Sequence, residues 1–149
     1  MTRKQRARPT RLPRWQEVAV YVTLGALILS GLAWLALDQW VRINGEFGQE
    51  HHPAEHGVLV VHGVVAYGFL IVAGAMIPVH IKLGWSLGRN KASGLSLAIG
   101  CMIGALTALA LYYLGDERGR SVVSLVHWLV GLLVIPALLI HASRGRRGT

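Results

Sequence analysis

The stretch that decides the fold is residues 122–141, VVSLVHWLVGLLVIPALLIH. It contains no Asp, Glu, Lys or Arg, and about 20 predominantly apolar residues are enough for a helix to cross the hydrocarbon part of a bilayer. His127 lies near its start and His141 at its end. On an α-helix these two residues project from one face, about 40° apart around the axis and about 21 Å apart along it.

Residues 58–81, VLVVHGVVAYGFLIVAGAMIPVHI, repeat the arrangement with His62 and His80. Their spacing is about five helical turns, so both imidazoles again share a face, about 27 Å apart along the axis. An ionisable side chain inside a membrane helix is costly and usually faces the bundle interior or a pathway. Four histidines placed in this way need a partner. We predict that the partner is haem iron, for which imidazole is a common axial ligand.

The composition is that of an integral membrane protein: of 149 residues, 53% are hydrophobic and 15% are charged. We predict an all-α, integral membrane four-helix bundle with helices at about residues 18–40, 58–81, 95–114 and 122–141. The first helix carries no histidine and supplies no imidazole ligand. The tails and loops are too short to form a soluble domain, so a catalytic domain would have to belong to another chain.

The net charge of +8 comes from basic residues that flank the apolar runs, where membrane topology explains them and nucleic acid binding is not needed. With the N-terminus in the cytoplasm, twelve Lys and Arg residues lie on the inner side and three, Arg42, Arg118 and Arg120, on the outer side. The positive-inside rule therefore predicts that both termini are cytoplasmic. Residues 1–17 and 142–149 are then basic cytoplasmic tails, and no nucleic acid partner is expected.

The second and fourth helices run in the same direction, which predicts how the histidines pair. His62 and His127 lie at similar depth near the outer face, and His80 and His141 mark the inner ends. The two axial separations differ by about 6 Å, and we expect a bend at Pro78 to absorb part of that difference. Glycines along the second helix serve either close helix packing or room for a flat macrocycle, and both interpretations stay open: Gly63, Gly68 and Gly74.

Any haem here is held without covalent bonds, because the one cysteine, Cys101, lies in an apolar run and no C-x-x-C-H motif is present. Two b haems are therefore predicted. Haem propionates are anionic and prefer charged partners to lipid. The candidate partners are Arg118 and Arg120 for the outer haem, and Lys82, Arg144 and Arg146 for the inner one. Topology and contact with lipid headgroups explain the same residues equally well.

The loop between the first two helices, residues 41–57, is rich in carboxylates and imidazoles, which can bind zinc or iron. Pro53 interrupts their spacing and no regular ligand pattern emerges, so a solvated, partly ordered loop is the favoured interpretation. The side chains concerned are Glu46, Glu50, His51, His52, Glu55 and His56.

Four short spans with paired histidines resemble the small b-type cytochrome subunits that bacteria attach to formate dehydrogenases and nickel-iron hydrogenases. The placing of two histidines on each of helices two and four is similar to the haem-binding part of the cytochrome b of quinol-oxidising complexes. His127 and His141 match its spacing, and His62 matches its first ligand on helix two; the eighteen-residue spacing to His80 departs from it. The resemblance implies electron transfer between the quinone pool and a partner redox protein, in the bacterial inner membrane.

Three functions follow as expectations. The first is a non-catalytic electron carrier with two haems, using quinone and docking an extracytoplasmic redox protein on its acidic outer loops. The second is a haem-containing enzyme that reduces quinone or ferric iron itself, although no G-x-G-x-x-G motif for a nicotinamide or flavin cofactor is present. The third is a transporter that carries metal ions or protons along a histidine-lined path.

Overall fold

The computed structural model describes residues 12–46, 48–88 and 90–147, without the side chains of residues 146 and 147. Four described helices are long and apolar enough to cross a membrane: Arg14–Trp40, Ala54–Ser86, Lys91–Tyr113 and Glu117–Gly145. The predicted all-α bundle with four membrane-length helices is confirmed to that extent. Residues 1–11 of the predicted N-terminal tail, and the side chain of Arg146, lie outside the described residues.

The elements follow one another as a helix, a short β-hairpin, an interrupted helix and a second pair of helices. In chain order they are α1 (Arg14–Trp40), β1 (Arg42–Gly45), β2 (Gly48–His51), α2 (Ala54–Met76), a π-helical segment (Ile77–Ile81), α3 (Lys82–Ser86), α4 (Lys91–Tyr113) and α5 (Glu117–Arg147).

The helices extend beyond the apolar runs that predicted them, and at the starts of α5 and α2 a polar side chain accepts a hydrogen bond from a backbone N–H. Helix α5 begins at Glu117 and not at residue 122, since Asp116 Oδ2 accepts a hydrogen bond from the backbone N–H of Gly119 at 2.6 Å. At its other end α5 continues to Arg147, so residues 142–147 of the predicted tail are helical. Basic side chains interact favourably with the negative end of a helix dipole, which is consistent with this extension.

Helix α2 likewise begins four residues before the predicted start. The backbone N–H of Ala54 donates to His52 Nδ1 at 3.1 Å, and Glu55 lies in the first turn, where a negative charge is favourable. Beyond the apolar run, α3 takes up Lys82–Ser86, so Lys82 is helical and does not lie in a connection.

The loop predicted as irregular contains an antiparallel hairpin, β1–β2, in which Arg42 pairs with His51 and Gly45 with Gly48. Gly48 has a φ of +122°, a conformation that glycine adopts without strain, and this closes the turn. The hairpin returns the chain from the end of α1 directly to the start of α2. It therefore places the first two long helices side by side.

The long helices pack as two hairpins. Helix α1 lies along α2, and α4 lies along α5, while the backbones of the two hairpins approach each other mainly between α1 and α5. Gly100 allows the close approach of α4 to α5, because a Cβ there would lie 3.3 Å from Val134 Cγ2. Gly104, one turn later on α4, makes no such contact, since a Cβ there would meet nothing within 4 Å.

Few side chains are buried within this bundle. Of the residues that the structure describes, three apolar and two polar ones are buried: Val20, Leu24, Val134, Gln16 and Ser93. Many large apolar side chains are exposed on the helices, as expected for a surface that faces lipid tails. The interior between the two hairpins is thus not closed by an apolar core, and the histidine side chains lie at that interface.

Candidate functional site

The structure brings the four intramembrane histidines together as two pairs. The ring centroids of His62 on α2 and His127 on α5 are 6.2 Å apart, with ring planes at 84°. The ring centroids of His80 and His141 are 5.9 Å apart, with ring planes at 85°. These are the pairs predicted from depth. All four rings are half-buried, and each pair joins one helical hairpin to the other.

A change of helix type accommodates the unequal spacing of the histidines. His80 lies in the π-helical segment, where the backbone N–H of Lys82 bonds to the carbonyl of Ile77, five residues earlier. A π turn takes more residues per turn than an α turn, so eighteen residues advance less along α2 than the α-helical rise predicts. Pro78 has no N–H to give the carbonyl of Gly74, which instead accepts from Ile77. A local change of helix type therefore takes up part of the difference, about one residue of helical rise or about 1.5 Å.

Three of the four histidines are held through Nδ1 by a hydroxyl from the neighbouring helix of their own hairpin. Ser30 Oγ lies 3.0 Å from His62 Nδ1, and Thr107 Oγ1 lies 2.9 Å from His127 Nδ1. Ser93 Oγ lies 3.0 Å from His141 Nδ1. Helices α1 and α4, which carry no histidine of their own, therefore orient the imidazoles on α2 and α5.

The direction of these hydrogen bonds follows from the second contact that each hydroxyl makes. Ser30 Oγ donates to the carbonyl of Ala26 at 2.7 Å, and Thr107 Oγ1 donates to that of Ile103 at 2.7 Å. A carbonyl can only accept, and a hydroxyl has one proton to donate. The hydroxyl oxygen therefore accepts from the Nδ1–H of its histidine.

This direction, in which the carbonyl takes the hydroxyl proton, favours one tautomer of both outer rings. With the proton of His62 and of His127 on Nδ1, each ring has an unprotonated Nε2 with a lone pair. Two such rings cannot hydrogen-bond to each other, because neither has a second proton to give. A neutral Nε2 is the form in which imidazole binds metal. For His141, Ser93 Oγ lies 3.0 Å from Nδ1 and 3.2 Å from the carbonyl of Asn90.

Two glycines allow the neighbouring helices to lie against the imidazole rings. A Cβ at Gly31 of α1 would lie 3.0 Å from His62 Cε1, and one at Gly94 of α4 would lie 3.4 Å from His141 Cε1. At Gly31 that distance is tighter than an ordinary Cβ contact, so a side chain there would require the His62 ring to shift by a few tenths of an ångström. Gly63, Gly68 and Gly74 on α2 differ, because a Cβ at any of them would meet nothing within 4 Å. These three do not serve close helix packing.

Comparison with protein-family models, with curated proteins and with solved structures finds no match for this chain.

Four of the five basic residues predicted near the site have described side chains, and these lie exposed at its two ends. On α5, Arg120 precedes His127 by seven residues, two turns, and so shares its face, whereas Arg118 lies on the opposite side. Arg144 follows His141 by one turn, and Lys82 lies about half a turn beyond His80. Arg120 and Arg144 therefore lie on the helix faces that carry the histidines, whereas Arg118 and Lys82 lie on the opposite faces.

Sequence reasoning missed two buried polar groups on α1, Gln16 Oε1 and the indole Nε1 of Trp34. Neither has a hydrogen-bond partner among the described residues. A buried donor without an acceptor costs about 1–3 kcal/mol. Trp34 lies one turn after Ser30, on the same face of α1. The spacing of four residues between Ser30 and Trp34 was the feature of the sequence that could have indicated that both side chains share a face of α1.

A second cluster of side chains of types that bind metals lies beside the β-hairpin. It consists of Asp38 of α1, His51 of β2 and Glu55 of α2, whose ligand atoms lie within 4.8 Å of one another. His51 Nδ1 is 2.7 Å from Glu55 Oε2 and 2.6 Å from Arg42 Nη1. The guanidinium thus places a positive charge beside the only nitrogen ligand in the cluster. The arrangement is better explained as an ionic network that fastens the β-hairpin to α1 and α2 than as a metal site.

Replacing Gly31 by alanine should disturb the His62 ring. The added Cβ requires the ring or α1 to shift, and overpacking of this kind costs about 1–3 kcal/mol. Gly25 on the same helix is the control, because a Cβ there meets nothing within 4 Å, and alanine is the better helix former by about 1 kcal/mol. We expect a lower melting temperature in detergent for G31A and an unchanged or higher one for G25A. Equal effects would show that the close approach at His62 is not needed.

Proposed function

We propose that the protein is a membrane electron carrier that binds two b haems, one between His62 and His127 and one between His80 and His141. The observation that carries the proposal is the outer pair. Each of its rings lies within hydrogen-bond distance of a hydroxyl of its own hairpin through Nδ1, and the two ring centroids are 6.2 Å apart. In the Nδ1–H tautomer, the two Nε2 atoms would hold one iron.

The distances support that interpretation. An imidazole nitrogen binds a metal at about 2.0–2.1 Å and lies about 1.2 Å from its ring centroid, so two opposed ligands have centroids about 6.4 Å apart. The measured separations of 6.2 and 5.9 Å fall within a few tenths of an ångström. Histidines that hydrogen-bonded to each other across the helices would instead need one Nε2–H, which the Nδ1–H tautomer does not supply.

Three features of the chain support a haem rather than a bare metal ion. The backbones of the two helical hairpins approach each other at few places, so space is left beside each histidine pair for a flat group such as a haem. Gly131 lies one turn from His127 on the same face, and a Cβ there would meet nothing within 4 Å. The unpartnered Nε1–H of Trp34 suits a carboxylate acceptor such as a propionate. Cys101 is in no C-x-x-C-H motif, so such a haem is non-covalent.

Haem bound in this way supplies reversible one-electron exchange between Fe(III) and Fe(II). The histidines of α5 place the two sites about 21 Å apart along the helix axis, one toward each end of the bundle. Electrons can therefore cross much of the membrane within one chain. We propose that they pass between the quinone pool and a partner redox protein, as the resemblance to cytochrome b subunits implies.

Proton transport is the less favoured alternative, because a histidine that relays protons must exchange them between Nδ1 and Nε2. The hydroxyl bonds at His62, His127 and His141 hold the proton on Nδ1. A metal transporter would share the ligands but not the visible spectrum of haem. A quinone or ferric reductase would share the haems and differ only in releasing its product without a partner protein.

We predict two haems per chain, with each histidine pair belonging to one of them. Pyridine haemochrome analysis of the purified protein should give a ratio of two. H62A or H127A should remove only the outer haem, and H80A or H141A only the inner one, because losing either ligand opens the coordination of that iron. The nearly perpendicular ring planes predict strongly anisotropic low-spin signals in electron paramagnetic resonance.

The controls are H52A and H56A, since both residues lie outside the two pairs at the start of α2. Each should retain both haems. A haem-to-chain ratio near zero in the wild type would refute the proposal, and a ratio near one would show that only one of the two histidine pairs binds haem. If H80A left both haems low-spin and fully bound, His80 would not be a ligand.

Arg120 and Arg118 offer a matched test of the propionate interaction. Removing a positive charge near haem stabilises Fe(III), so R120Q should lower the midpoint potential of the outer haem. Because the side chain is exposed, the effect should be small, about 0.2–1 kcal/mol. R118Q should have less effect, since Arg118 lies on the opposite face of α5. Potentiometric titration measures both; equal shifts in the two variants would favour contact with lipid headgroups. At the inner haem, R144Q and K82Q form the corresponding pair.

We further propose that both termini face the cytoplasm in a bacterial inner membrane, as the twelve to three distribution of basic residues predicts. The β-hairpin and the start of α5 would then lie outside. Their acidic residues would attract a basic surface on an extracytoplasmic redox protein beside the His62–His127 haem, through steering that weakens with salt.

Labelling with a membrane-impermeant maleimide tests this orientation in a C101S background. In right-side-out vesicles E50C should react and R144C should not, and inside-out vesicles should reverse the result. The co-purified partner should reduce or oxidise the haems only from the side where E50C reacts. Reaction of R144C in right-side-out vesicles would invert the topology, and exchange with the partner from the R144C side would refute the proposed docking.

A further inference from the structure

Ser30, Thr107 and Ser93 each place a hydroxyl against a histidine, and all three lie on helices that carry no histidine. We propose that Ser30, Thr107 and Ser93 are positioning residues that set the basicity of the axial imidazoles and thereby the midpoint potential of each haem. This inference rests on the proposed haem binding. The positions concerned are His62 and His127 at the outer haem, and His141 at the inner one.

Each hydroxyl is the middle member of a three-part chain, with the histidine Nδ1–H on one side and a backbone carbonyl on the other. Thr107 Oγ1 is 2.9 Å from His127 Nδ1 and 2.7 Å from the carbonyl of Ile103. A hydroxyl that donates to a carbonyl becomes a better acceptor, so the two bonds strengthen each other. Donation from Nδ1–H in turn makes Nε2 more basic, as in other metal sites where a ligating histidine has an outer partner.

A more basic Nε2 stabilises Fe(III) more than Fe(II), because the ferric ion carries the higher charge. The hydroxyls should therefore lower the midpoint potentials. They act through the ligand and not on the iron, and they also keep the imidazole in the tautomer that leaves Nε2 free to bind. An apolar side chain of the same shape would fill the space and remove both effects.

Helix α4 shows that the positions are matched to the site. Ser93 and Thr107 are fourteen residues apart, and so are His127 and His141 on the antiparallel α5. The two hydroxyls therefore project from one face of α4 at the spacing of the two histidines, with Thr107 beside the outer one and Ser93 beside the inner one. A single hydroxyl near one histidine could be explained by local packing alone. The same fourteen-residue spacing on α4 and α5 places a hydroxyl beside the histidine of both sites.

The test is potentiometric titration of the purified holoprotein carrying T107V. Valine matches threonine in shape and lacks the hydroxyl, so the outer haem should stay bound while its midpoint potential rises. We expect a several-fold change in the Fe(III)/Fe(II) equilibrium, where tenfold is 59 mV for a one-electron couple. T107S should restore the wild-type potential. S93A should raise the inner potential only.

Ser96 provides the matched control. It lies on the same helix, is exposed, and its hydroxyl bonds only to the carbonyl of Ala92, at 2.9 Å. S96A should leave both potentials unchanged. A purely structural role for these hydroxyls would lower the melting temperature without moving a potential, so the two measurements are made on the same samples.

An unchanged outer potential in T107V with the haem fully bound would overturn the inference, as would equal shifts of both haems in either single variant. If T107V loses the outer haem, the midpoint potential of the outer haem is measured in S30A instead, because Ser30 contacts His62 of the same pair. An unchanged potential in S30A would then overturn the inference. Absence of haem from the wild type would instead refute the proposed function, so the two failures are distinguishable.

Discussion

The hydrogen bonds between Nδ1 of His62, His127 and His141 and the hydroxyls of their own hairpins are the interactions on which the rest of the site depends. Because Ser30 and Thr107 each have a backbone carbonyl at 2.7 Å that takes their own proton, each can accept from the Nδ1–H of its histidine. Nε2 of both outer rings is then unprotonated. In an apolar interior, two acceptors without a donor are unfavourable, and a bound metal would relieve this.

The energetics of the bundle point in the same direction. Within a bilayer no hydrophobic driving force joins helices, and an interhelical hydrogen bond contributes about 0.6 kcal/mol on average. Inside each helical hairpin, close helix packing contributes stability in addition to these hydrogen bonds. One example is the contact of Val134 with the backbone of α4 at Gly100. Between the hairpins the backbones approach mainly at α1 and α5. Ligand bonds to a metal, which contribute on the order of 10 kcal/mol in structural sites, would be the strongest link between the two halves.

Much of this architecture was predictable from the sequence, and the remainder depends on local chemistry that periodicity does not report. Uninterrupted apolar runs predicted four spans, and counting depth from the start of each run predicted which histidines meet. The ends of the helices were not predictable from hydropathy, because α5 begins where Asp116 caps the backbone and α2 where His52 does. The β-hairpin was hidden for a similar reason, since its strands are polar and only four residues long.

The inner pair shows most clearly why a helical wheel alone was insufficient. Eighteen residues on α2 must match fourteen on α5, and ideal α-helices leave a mismatch of about 6 Å. Pro78 removes the N–H that would continue the α pattern, and the bond from Lys82 to the carbonyl of Ile77 closes a wider turn. His80 belongs to that turn, so Pro78 and the wider turn take up part of the difference in depth between His80 and His141. Pro78 thus helps to make the two unequal histidine spacings compatible.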